Sequence, residues 1–172
     1  INIGVSAAPK YQDFSFKLNF PSKKYGKTSI FGLGGISSMS ILDSEKEADD
    51  WSFTEAGEDL IIGSKMGIAG ITNVHLFNKN TYGKFSLVAS VTESLIKIDT
   101  ISATASDEKF NTFKNDALDG QYIVSYVLNK KINAKHLLKG GATFNLLWFD
   151  NEERAYYRQF NDYVFLNDAK GN

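Results

Sequence analysis

The chain has 172 residues, enough for one domain with a sizeable core, and its 19 Lys+Arg against 20 Asp+Glu leave a formal net charge of -1. That balance argues against a nucleic-acid partner, which would call for a basic stripe. With no cysteine there is no disulfide, thiolate metal site or cysteine nucleophile, and no segment nears the roughly 18 consecutive apolar residues of a membrane-spanning helix.

In chain order, the first clear element is "KYQDFSFKLNF" (10–20), which alternates without error. Phe14, Phe16, Leu18 and Phe20 fall on one side of an extended chain, and Asp13, Ser15, Lys17 and Asn19 on the other. A polar turn at 21–27 follows, marked by Pro21 and Gly26. "TSIFGLGGIS" (28–37) resumes a strand loosened by Gly32, Gly34 and Gly35, and 38–62 reads as a long, acid-rich loop. "GSKMGIAGITNVHLF" (63–77) places Ile68, Gly70, Thr72, Val74 and Leu76 on one side, with Asn73 and His75 on the other. After a tight turn at 78–81, "YGKFSLVASVTE" (82–93) sets Phe85, Leu87, Ala89 and Val91 against Lys84, Ser86, Ser90 and Thr92.

A second long loop is expected at 94–118. "GQYIVSYVLNK" (120–130) then groups Tyr122, Val124, Tyr126 and Leu128. Beyond a short break at 131–135, "HLLKGGATFNLLWF" (136–149) sets Leu138, Gly140, Ala142, Phe144, Leu146 and Trp148 opposite Lys139, Thr143 and Asn145. Residues 150–172 read as a third long loop or the start of another strand.

Period-two alternation throughout predicts an all-β, antiparallel up-and-down meander of about six to seven strands. Short and long connections alternate, so every short turn lies at one end and every long loop at the other. Two environments suit the apolar side: the core of a soluble lipocalin-like module, or lipid. Strands of about ten residues, the connection asymmetry and aromatics at the ends of runs (Phe20, Tyr25, Phe77, Tyr82, Trp148 and Phe149) favour an outer-membrane barrel wall. Such barrels begin at about eight strands. The expectation is therefore a slice of a larger barrel, supported by the abrupt start at Ile1; a small closed barrel serving as pore or adhesin is the alternative. The polar side would be a wetted inner wall carrying Asp13, Ser15, Lys17, Asn19, Asn73, Lys84, Ser86, Ser90, Thr92, Lys139, Thr143 and Asn145.

The wording of the strands adds a resemblance. "NIGVSAAPKYQDFSFKLNFPSKKYGKTSIFGLGGIS", followed by Trp51 and then "GITNVHLFNKNTYGKFSLVAS", resembles the barrel region of TonB-dependent outer-membrane receptors. The likeness is to the group with a carboxypeptidase-regulatory-like domain ahead of the plug, and it spans residues 2–149. It implies a barrel of about 22 strands with a plugged lumen. It further implies import of a scarce nutrient such as a siderophore, cofactor or glycan, with outer-membrane lipids, the TonB complex and the imported small molecule as partners. The plug and the TonB-contacting segment have no counterpart in these residues, so no energy-coupling residue is carried over.

Chemical motifs are sparse. "GLGG" (32–35) lacks the helix start of a phosphate loop and reads as strand packing. The run "DSEKEADD" offers Asp43, Glu45, Glu47, Asp49 and Asp50 but lacks the glycine of a calcium loop, and reads as a solvated segment. His75 and His136 stand apart, each on an expected strand, without companion ligands. No catalytic, cofactor, metal or substrate residue is assigned, and a non-enzyme is expected.

Overall fold

The computed structural model of the chain describes residues 9–45, 57–101, 109–157 and 159–172. Among these residues seven strands follow one another: β1 (Lys10–Ser22), β2 (Gly26–Leu42), β3 (Glu58–Asn78), β4 (Thr81–Ile101), β5 (Lys109–Lys131), β6 (Leu137–Tyr157) and β7 (Asp162–Gly171). A 3-10 turn, Asp43–Glu45, follows β2. The strands form one antiparallel sheet in sequence order, as the alternation predicts. β1 pairs only with β2 and β7 only with β6, so the sheet is open and the described strands do not close a small barrel.

Turn chemistry fixes one end. Gly26 takes a left-handed φ of 78°, where an added Cβ would strike the Val74 carbonyl, and the Tyr25 N–H is held by the Ser22 hydroxyl. Residues 79–80 form a tight hairpin whose Asn80 N–H is accepted by the Asn78 side chain at 2.9 Å. At 132–136 the Asn133 carboxamide takes the N–H groups of Lys135 and His136. His136 therefore sits in this turn rather than on a strand.

The long loops expected at 94–118 and 150–172 are largely strand, and the one expected at 38–62 is strand at both ends. β2 continues to Leu42, β3 begins at Glu58, β4 runs to Ile101, β5 starts at Lys109, and residues 150–171 form most of a β6–β7 hairpin. The physical reason is that alternation marks a strand only where its two sides meet different surroundings. In "EDLIIGS", "SLIKIDTI" and "KFNTFKNDAL" apolar and polar residues occur on both sides, and the backbone ladder holds the strand instead. At the far end the strands stop at Leu42, Ile101 and Tyr157 and resume at Glu58, Lys109 and Asp162, whereas the near-end connections are only 23–25, 79–80 and 132–136. β3, β4 and β6 each have 21 residues, about 70 Å of extended chain at about 3.4 Å per residue.

Glycine and aromatic residues pair across the ladder. Phe16 lies over Gly32, Phe31 over Gly70, Trp148 over Gly120 and Phe149 over Gly171, and each is a directly opposed pair. A ring folded over a cross-strand glycine covers backbone that no side chain of its own would shield. A Cβ on Gly32 would lie 2.5 Å from the Phe16 ring, whereas one on Gly140 would meet nothing within 4 Å. Gly32→Val should cost about 1–3 kcal/mol despite the better strand propensity of valine. Gly140→Val should change stability by less than about 0.5 kcal/mol. Denaturant midpoints of the two variants decide this, and equal midpoints would refute the ring-over-glycine account.

Candidate functional site

Directly opposed residues in an antiparallel ladder share a face, so the registers sort every side chain. One face carries the row Leu18, Ile30, Ile71, Leu87, Val124 and Phe144, unbroken from β1 to β6. Its neighbours are the rows Phe16–Gly32–Ala69–Ala89–Tyr122–Leu146 and Phe14–Gly34–Gly67–Val91–Gly120–Trp148. These side chains are bare: Phe14 is 68%, Phe144 65% and Leu87 44% exposed. Among the described residues no hydrophobic side chain is buried.

One step farther from the short turns, the same face turns ionic. The next row reads Gln12, Ile36, Lys65, Glu93, Leu118, Asp150 and Lys170. Lys65 pairs with Glu93 at 2.7 Å and Lys170 with Asp150 at 2.9 Å. Beyond it, Lys97 meets Asp99 at 2.6 Å and Lys114 meets Asp116 at 2.9 Å, each two residues apart on one strand. The apolar band is thus bounded by a belt of ion pairs, Lys65–Glu93 and Lys170–Asp150, with six strands contributing to the band and four to the belt.

The opposite face is mixed and more polar. Its most polar row is Asn19, Ser29, Thr72, Ser86, Ser125 and Thr143. Ser29 Oγ donates to Asn19 Oδ1 at 2.7 Å, and Thr143 Oγ1 to Ser125 Oγ at 3.3 Å. Eleven of the twelve residues expected on an inner wall lie here; the exception is Asn73, which is directly opposite Phe85 on the apolar face. The phase of β3 is therefore the reverse of the expected one: Ile71 and Ala69 join the apolar band, while Ile68, Gly70, Thr72 and Val74 face the polar side. β3 carries Ile, Gly and Ala on both sides, so its own pattern is nearly flat and its partners set the phase. Asn73 is satisfied where it is, donating to Thr28 Oγ1 at 2.9 Å and to the Tyr25 carbonyl at 3.0 Å. Of the aromatic strand ends, Phe20 and Trp148 border the apolar band, whereas Tyr82 and Phe149 turn to the polar face.

Exposure follows the same division. On β5, Tyr122, Val124, Tyr126 and Leu128 are exposed, while Gln121, Ile123, Ser125 and Val127 are half-buried.

At the far end a different cluster forms. Asp59, the one large side chain almost fully buried among the described residues, accepts the Ser44 N–H (3.0 Å) and Oγ (2.8 Å), and its other partner is Lys109 Nζ at 2.8 Å. Asp43 Oδ2 accepts the Gly57 N–H at 2.7 Å. Burial alone would raise the Asp59 carboxyl, but the hydrogen bonds from Lys109 and Ser44 and the lysine charge outweigh it, and the group sits below the usual carboxylate range. The acidic run thus acts through Asp43 as a loop clasp, and Glu47, Asp49, Asp50 and Trp51 lie outside the described residues. Among the described residues no three His, Cys, Asp or Glu side chains gather as a metal site. His75 instead packs edge-on against Phe77, ring centroids 4.9 Å apart. This clasp was not legible in sequence, because Ser44 and Lys109 carry no signature that ties them to Asp59.

Comparison with protein-family models, with curated proteins and with solved structures finds no match to this chain.

A lowered carboxyl value means that the clasp's contribution is fully present above the unfolded value of about 3.9 and lost as pH falls through the lower folded value. Asp59→Ala should cost about 1–3 kcal/mol locally at neutral pH, since the Ser44 N–H loses its acceptor. Amide exchange at 57–60 should speed up in that variant while exchange in the Leu18–Phe144 row stays unchanged.

Proposed function

We propose that this chain is part of the membrane wall of a TonB-dependent outer-membrane receptor that imports a scarce nutrient such as a siderophore, cofactor or glycan. The observation that carries the reading is the apolar face: continuous over six strands, bare, and bounded by ion pairs, in a chain whose described residues bury no hydrophobic side chain. Monomeric soluble proteins rarely leave so large an apolar surface in water.

The dimensions suit hydrocarbon. At about 3.4 Å per residue and the tilt of about 40° usual in membrane barrels, Leu138 to Trp148 rises about 26 Å, close to the apolar band of such proteins. A polar face that is the more shielded side of β5 fits the concave, lumen-facing side of a curved wall. An open sheet cannot meet lipid along its edges, because unpaired amides are costly there. β1 and β7 would therefore pair with further strands, which agrees with the resemblance of residues 2–149 to a much larger barrel. In this reading the polar row from Asn19 to Thr143 faces the plug or the passing solute, and the far-end connections face the exterior, where recognition usually resides. The TonB complex, outer-membrane lipids and the imported small molecule are the partners it entails.

Adjacent positions on β4 test the assignment. Leu87→Arg should reduce assembly in outer membranes, at a cost of about 2–4 kcal/mol near the midplane, whereas Ser86→Arg on the opposite face should assemble almost normally. Heat-modifiable mobility of the full-length polypeptide in membranes reads both. Equal assembly of the two variants would sink the membrane reading.

A further inference from the structure

Charge is distributed unevenly along the strands. Segments 14–42, 60–92 and 120–149 hold eleven lysines and neither an aspartate nor a glutamate, so all 20 acidic residues lie elsewhere. Apart from Lys65, which belongs to the ion-pair belt, these lysines sit on the short-turn side of that belt. The formal net charge of -1 for the whole chain therefore conceals a strongly cationic end.

The ten lysines divide by face. Lys17, Lys27, Lys84, Lys131 and Lys139 belong to the polar side of the sheet. Lys130, directly opposite Leu138, belongs to the apolar side, and Lys23, Lys24, Lys79 and Lys135 occupy the three short turns. Every one of the ten is exposed, and among the described residues none has a carboxylate partner. Lys24 instead lies over the Tyr25 ring, 5.1 Å from its centroid. The belt is the opposite case, since Lys65 and Lys170 are each held by a carboxylate.

The approach to the five rim lysines identifies their ligand. Along the apolar side of β5 the order toward the turn is Val124, Tyr126, Leu128 and Lys130, with Phe85 directly opposite Tyr126. Val124 to Lys130 is about 20 Å of strand, a rise of about 16 Å at a tilt of about 40°. Half the hydrocarbon thickness of a bilayer is about 15 Å. Since Val124 shares the row of Leu87, near the midplane in the reading above, Lys130 falls where acyl chains give way to headgroups. Apolar, then aromatic, then cationic is the order of a membrane interface. A soluble polyanion gains nothing from the apolar and aromatic residues that lead to Lys130, whereas a lipid engages both. With no carboxylate at the rim, the ammonium of a zwitterionic headgroup finds no partner, so the charge pattern selects a net negative one.

We propose that the short-turn rim is a docking surface for anionic phospholipid, with headgroup phosphates held by Lys23, Lys24, Lys79, Lys130 and Lys135. The site rests on the membrane reading above, in which the far end faces the exterior and the short turns meet the opposite leaflet. Each lysine near an anionic surface strengthens attraction about fivefold.

The test uses the full-length polypeptide that carries this chain, extracted in mild detergent and titrated with phosphatidylglycerol or phosphatidylcholine. Native mass spectrometry reads the bound lipid. The wild type should bind phosphatidylglycerol in preference, and the preference should fall as salt rises. Lys23→Gln plus Lys79→Gln plus Lys135→Gln, all at exposed turn positions, should weaken phosphatidylglycerol binding by about tenfold or more and leave phosphatidylcholine binding unchanged. Lys17→Gln plus Lys84→Gln plus Lys139→Gln removes the same charge from the polar side and should leave the preference intact. Equal binding of the two lipids by the wild type, or equal loss in the two triple variants, overturns the rim site and leaves the receptor reading standing. A photo-cross-linker placed at Lys79 that captures protein in place of lipid in native membranes does the same. Release of the wild type from membranes by salt without detergent overturns both.

Discussion

The unbroken register of the β1–β6 ladder is the constraint on which everything else depends. Each strand on its own offers two phases, and a slip of one residue would carry its whole apolar set to the other side. Hydrogen bonding fixes the phase once, and the fixed phase then places Leu18, Ile30, Ile71, Leu87, Val124 and Phe144 in one line. The irregularities in pairing are displaced from that line: they fall at Leu76/Asn78 beside a turn, and at Ile98/Asp99 and Glu153/Arg154 beyond the ion-pair belt. The band is regular across its width, and among the described residues the bulges lie outside it.

That division explains which parts of the fold could be read from residues alone. β1 and β6 declare their phase because their two sides differ sharply, as in Phe14-Ser15-Phe16-Lys17-Leu18 and Thr143-Phe144-Asn145-Leu146. β3 does not, since Met66-Gly67-Ile68-Ala69-Gly70-Ile71 is nearly as apolar on one side as on the other. Its phase is borrowed from β2 and β4, which is why Asn73 was expected on the wrong face. Strand ends beyond the belt are illegible for a related reason. Hydrophobic contrast records a difference between two environments, and where the environments are alike it carries no signal even though the ladder continues.

Glycine spacing shows the same limit from another side. "FGLGG" says that thin residues recur, but not what each one does. Gly32 makes room for the Phe16 ring, Gly35 for the Asp13 carboxylate, and Gly34 for nothing in the chain. Three neighbours of identical type thus have three different surroundings, and only cross-strand geometry separates them.

The far extensions raise the question of what holds a sheet once burial no longer does. The ion pairs at the base of these extensions, Lys65–Glu93 and Lys170–Asp150, are largely exposed and contribute little individually, since solvent screens them and long side chains lose entropy in holding one geometry. Asp59 is of another kind: nearly buried, with Ser44 and Lys109 around its carboxylate, it ties the end of β2 and its 3-10 turn to β3 and β5 at one point. The intervening ladder from Lys65 to Glu58 then behaves as a stalk of about 24 Å at about 3.4 Å per residue. A receptor of the kind proposed needs its outer connections held well above the lipid and in fixed relation to one another, because ordering mobile loops on binding would consume affinity. A continuous ladder clasped at its tip supplies that rigidity without a hydrophobic core among the described residues.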